Sequence, residues 1–98
     1  MAKLNREQIQ KFIKNNLPHD EIRLINGMDD AFIGICERIG MIPVAAYDTR
    51  KCIEILEEDI DYEGAVEYFD FNIMGAWEGE GTAVFITSVN EKRGDSYE

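Results

Sequence analysis

The sequence predicts an α+β fold, a mainly antiparallel sheet of three or four strands with helices packed on one face. Three observations lead there. Apolar residues recur at helical spacing in three windows, Ile9 to Leu17, Cys52 to Ile60 and Ala65 to Ala76. Apolar runs of strand length stand at 31–36, 44–47 and 83–87. Short links and the Asn26-Gly27 turn signal favour hairpins, and therefore antiparallel neighbours. A chain of 98 residues that is 45% hydrophobic suits one domain with a real core, so residues 1–98 are expected to fold as a unit, with 90–98 a disordered tail.

The elements follow in order. Asn5 and Gln8 have the spacing of a capping box and open a helix at about 6–16, which Pro18 ends. Ile22 and Leu24 alternate with charged residues and predict a strand before the Asn26-Gly27 turn. A second strand resumes at about Ala31 to Cys36, and after Gly40 and Pro43 a third runs Val44 to Tyr47. Asp48 is placed to cap a helix of about 49–59, with Cys52, Ile53, Leu56 and Ile60 inward. Asp61 is placed to cap another of about 62–76, with Ala65, Phe69, Ile73 and Ala76 inward. Ala83 to Thr87 is the last strand. The predicted order is α-β-β-β-α-α-β.

Charge separates the chain into unequal parts. The net charge is −10, and residues 48–80 hold eleven acids against two bases, whereas residues 1–47 balance. Such a field attracts cations and basic protein surfaces and repels nucleic acid and anionic membranes. Glu54–Glu58, Glu57–Asp61 and Glu63–Glu67 are like-charge pairs four apart, each costing roughly 0.2–0.5 kcal/mol in an isolated helix. Selection for helix stability alone would favour lysines here. The ladder Glu54, Glu57, Glu58, Glu63 and Glu67 is the candidate partner-binding face, with Tyr68 and Trp77 beside it. Phe69 fits the core stripe, and Tyr68, Phe71 and Trp77 cannot all share it. An exposed aromatic beside an acidic field has the character of a binding hot spot. Duplex DNA carries one charge per about 1.7 Å of axis, so imitation of DNA would need both helices together.

A second pattern overlaps the first. In the window 59–70, carboxylates fall at positions 1, 3, 5, 9 and 12 and glycine at 6. That resembles an EF-hand loop and makes Asp59, Asp61, Glu63, Glu67 and Asp70 candidate calcium ligands. Glu at position 5, Asp at 12 and Glu58 before the loop depart from the pattern. No cofactor is expected unless calcium binds here. Catalytic signals are poor. His19 is the sole histidine and follows Pro18 in an expected loop, and no nucleophile–base set is visible. Cys36 and Cys52 are expected to be buried, reduced thiols. Cys52, beside Lys51, is the better of two weak thiolate candidates. The glycines at 75, 79 and 81 are not a phosphate loop, since no Lys-Ser/Thr follows and neighbouring acids would repel phosphate. No apolar run approaches the roughly 18–20 residues that span a bilayer, and the polar start carries no apolar signal region.

Several stretches together resemble a family of small acidic proteins of unknown function encoded by tailed phages and prophages. They are Asp29-Asp30-Ala31-Phe32-Ile33-Gly34, Val44 to Asp48, Lys51-Cys52-Ile53, Tyr62 to Phe69, Phe71-Asn72 and Gly75 to Glu80. The family carries an acid where Gly64 stands, which argues for a helix start over a calcium loop, and Thr82-Ala83 departs from its Thr-Pro. The resemblance implies a non-structural, accessory role in the bacterial cytoplasm, and with no catalytic set in the sequence the chain is expected to be non-enzymatic. Its expected partner is a host protein with a basic surface, including a nucleic-acid-binding enzyme that it would inhibit. Pairing of two copies is expected through an open sheet edge, either the strand at 43–47 or the one at 83–87.

Overall fold

Asn5 opens the first helix as its spacing predicts. The Asn5 carboxamide oxygen accepts the Gln8 N–H at 2.8 Å, and the Gln8 side-chain oxygen accepts the Asn5 N–H at 2.9 Å. Two otherwise orphaned donors are satisfied at once. Helix α1 spans Arg6–Asn16 and buries Ile9 and Ile13. Leu17, before Pro18, closes it by donating its N–H to the Ile13 carbonyl. These features come from a computed structural model that describes residues 4–76 and 78–89. Trp77 and the expected tail at 90–98 lie outside the described residues.

The strand expected at Ile22 to Leu24 does not form. The Asn26-Gly27 turn does form, with Gly27 at φ +88° and the Met28 N–H reaching the Ile25 carbonyl. A single 3₁₀ turn at Asp29–Ala31 follows it, so the two arms never align as a ladder. Side chains take the backbone groups that a partner strand would have taken. The Ile25 N–H donates to the Tyr47 hydroxyl at 2.9 Å, and the Ile25 carbonyl accepts Arg6 Nη2 at 3.2 Å. Arg6 also grips Asp29 with Nε and Nη2, the shorter bond being 2.8 Å, and this bond raises the guanidinium pKa. Ile22, Leu24 and Ile25 still pack on the core.

The sheet is three-stranded and mixed, in the order β1-β2-β3. β1 (Phe32–Cys36) runs antiparallel to β2 (Val44–Asp48), with a register shift between Phe32 and Gly34. Gly34 sits at φ +149°, and this bulge leaves Ile33 without a cross-strand partner. β3 (Val84–Ile86) runs parallel to β2. The expectation of a mainly antiparallel sheet therefore holds for one junction and fails for the other. The helices between β2 and β3 form a crossover, which returns the chain in the direction it left. The strand at 43–47, expected to be an open edge, is the central one. Val44, Ala45, Ala46 and Tyr47 are consecutively buried, as befits a strand covered on both faces. The edges are β1 and β3.

α2 covers Thr49–Leu56, shorter than the expected 49–59. Asp48 occupies its cap position without a side-chain bond. Thr49 buries a hydroxyl that has no hydrogen-bond partner among the described residues. α3 covers Tyr62–Tyr68, and Asp61 caps it by accepting the Gly64 N–H at 2.9 Å. The helix then widens into a π turn, Phe69–Met74. A Cβ on Gly75 would stand 2.9 Å from the Asp70 carbonyl oxygen, so this close approach admits only glycine. The core draws on every element. A row of rings crosses it from Phe12 through Phe32, Tyr47 and Phe85 to Phe69, with neighbouring centroids 5.1–6.3 Å apart.

Candidate protein-binding face

α2 and α3 turn Cys52, Ile53, Ala65 and Phe69 inward, which leaves their acids outward. Glu54, Glu57, Glu58, Asp59, Asp61, Glu63, Glu67 and Asp70 are all exposed. They are not equivalent. Glu54 stands 3.5 Å from both Arg50 Nε and Lys51 Nζ, so two cations share the field around it. Glu57, Glu58, Glu63, Glu67 and Asp70 have no ion pair among the described residues. The four-residue spacing of Arg50 and Glu54 already signals the first of these pairs in the sequence, and Lys51 adds a second at three residues.

Apolar side chains interrupt the ladder. On α3, at about 100° per residue, Glu63 and Glu67 lie on the side opposite Ala65, and in the π turn that follows Asp70, Phe71 and Met74 are exposed while Phe69 is buried. Phe71 is 74% exposed, and Tyr68 and Met74 are about half exposed. Tyr68, expected in the site, is there. Trp77, also expected in it, lies outside the described residues. The sequence reading doubted a core place for Phe71 without naming it as a site residue, and it did not mention Met74; the spacing of Ala65, Phe69 and Ile73 is the signal that turns both outward.

The window 59–70 folds as a turn, a cap, a helix and the start of the π turn. Asp59 lies in a turn, Asp61 caps, Glu63 and Glu67 ride on α3, and Asp70 lies in the π turn. A helix from its fourth position spreads the expected calcium ligands along an axis where an EF-hand would converge them. Among the described residues, no three of His, Cys, Asp and Glu form a group that could hold a metal ion.

The thiols also differ from expectation. Cys36 is exposed at the end of β1, while Cys52 is fully buried. Burial, reinforced by Asp48, pushes the Cys52 thiol up to about 12. It stays protonated at neutral pH and is unsuited to nucleophilic attack. Ellman titration of the native protein at pH 8 is expected to label Cys36 promptly and to spare Cys52 until denaturant is added. Rapid labelling of a Cys36→Ser variant would contradict this burial. His19 is exposed in the turn after α1.

Beside the helices lies a cleft of about 230 Å³, bounded by the Arg23–Asn26 segment, the π turn and the 78–83 loop. Arg23 Nη1 donates to the Glu78 main-chain oxygen at 2.6 Å and stands 3.5 Å from its carboxylate. Thr82 shapes the loop, accepting the Glu78 N–H at 2.7 Å and donating its hydroxyl to the Gly79 carbonyl at 2.7 Å.

Among the described residues no helix is long and apolar enough to cross a membrane. Comparison with family models, curated proteins and solved structures finds no match to this chain.

Proposed function

We propose that this chain is a non-enzymatic, phage-type accessory protein that binds a basic surface of a host protein in the bacterial cytoplasm. The observation that carries the reading is the outward side of α3 and the π turn. Glu63, Glu67 and Asp70, with no ion pair among the described residues, are exposed there together with Phe71 and Met74, and Glu57 and Glu58 follow at the end of α2. Carboxylates without partners attract a basic surface and speed encounter. An aromatic ring left in water gains by entering a partner's pocket. The phage origin and the bacterial setting rest on the family resemblance. Inhibition of a nucleic-acid-binding enzyme is one form of this function, since such enzymes present basic surfaces.

The test is capture from bacterial lysate by the full chain, at low and high salt, with a variant carrying Gln at 57, 58, 63 and 67. Glu54 stays, because its cations already engage it. A specific protein is expected to be retained at low salt, to be lost as salt screens the exposed charges, and to be lost with the variant. Retention of the same protein by the variant at parental strength would sink the proposal.

A further inference from the structure

The cleft between the Arg23–Asn26 segment, the π turn and the 78–83 loop has no part in the face described above, and its lining is selective. Its apolar side is made by Leu24, Ile73, Ala83 and Phe85. Arg23 and Glu78 meet at its rim, 3.5 Å apart, with 59% and 61% of their side-chain surfaces exposed. A pair so long and so exposed contributes little to the fold. Each member therefore keeps capacity for a ligand of opposite charge. The π turn contributes Asn72 and Ile73 to the same wall, and π turns occur often at functional sites.

Charge narrows the ligand. An anion would meet Glu78 and a chain of net charge −10, and a cation would meet Arg23. A zwitterion escapes both penalties. Its carboxylate can pair with Arg23 while its ammonium pairs with Glu78, closing a square of alternating charges. A volume below the roughly 300 Å³ at which ligand pockets usually begin restricts the occupant to a small metabolite. The apolar lining asks for an aliphatic or aromatic side chain. We propose that this cleft binds a free α-amino acid with an apolar side chain.

The experiment is calorimetric titration of the full chain with L-leucine and with L-phenylalanine. Controls are 4-methylpentanoate, which lacks the ammonium, and isopentylamine, which lacks the carboxylate. At least one amino acid is expected to bind with a dissociation constant of about a millimolar or tighter, and both controls at least tenfold more weakly. Arg23→Gln and Glu78→Gln should each weaken the amino acid about tenfold; Glu78→Gln should leave the melting midpoint unchanged, since it alters only the long, exposed carboxylate contact and keeps the main-chain oxygen that accepts Arg23. Absence of heat with both amino acids at tens of millimolar would overturn the proposal. So would controls that bind as well as the amino acids, or charge variants that bind like the parent. The Gln variant at 57, 58, 63 and 67 should bind the amino acid normally, so failure here is separable from failure of the acidic face.

Discussion

Phe71→Ala is expected to weaken capture of the protein partner at least thirtyfold while leaving the thermal midpoint within about 2 °C of the parent. The two halves of this result have different causes. At 74% exposure the ring buries little on folding, so its truncation removes little transfer free energy. In a complex the same ring would be desolvated at the centre of a charged surround, where aromatic anchors contribute about 2 kcal/mol or more, a factor of about thirty. The neighbouring glutamates act differently. Rim charges govern mainly the rate of encounter and its salt dependence, so the Gln variant should slow association and Phe71→Ala should speed dissociation. Surface plasmon resonance with the captured partner separates the two. If Phe71→Ala dissociates at the parental rate, the ring is not the anchor and the acids alone carry the contact.

Phe69→Ala, two residues away, is expected to destabilise the fold by about 3–5 kcal/mol, against a total stability of about 5–15 kcal/mol for a chain of this size. Phe69 is 1% exposed, and its ring meets Phe85 edge-on at 5.1 Å. It ends the aromatic row and fastens the start of the π turn to β3. Truncation leaves a cavity against a strand of three residues, which cannot close it by shifting without losing its pairing. Urea denaturation followed by circular dichroism measures the loss, and Phe69→Leu provides a milder companion if the alanine variant fails to fold. A cost below about 1 kcal/mol would mean that this end of the core collapses freely around the missing ring.

The local signals of the sequence were readable where one residue type settles one geometry. Asn5 and Gln8 announced α1, Pro18 ended it, and Asp61 capped α3. Pairing was less readable. The direction of β3 depends on how the chain returns across two helices, and no residue in 83–87 encodes that. The missing strand at 22–24 is more instructive. Its alternation is real, and its apolar residues do pack inward. Remote groups hold the segment's end instead of a ladder, since Arg6 and Tyr47 bond the backbone of Ile25, the residue after the expected strand. The candidate face was half legible. Its acids stand out in composition and Phe69 was legible as core, but which of the remaining apolar residues stay in water, Phe71 and Met74 among them, depends on the packing of the turn that follows α3. The Arg23–Glu78 pair joins residues 55 apart in sequence, a separation at which no local pattern signals contact.

Glu57, Glu58, Glu63, Glu67 and Asp70, which make no ion pair among the described residues, also determine how the molecule responds to electrolyte. Crowded like charges strain the folded chain, and added salt relieves them by screening over about 10 Å at 0.1 M. The same ions weaken attraction to a basic partner. Fold and complex therefore move in opposite directions, with the midpoint of a melt rising across the salt range in which capture fades. A partner lost at high salt is then lost by an intact molecule, and a melt recorded in the two capture buffers reads this directly.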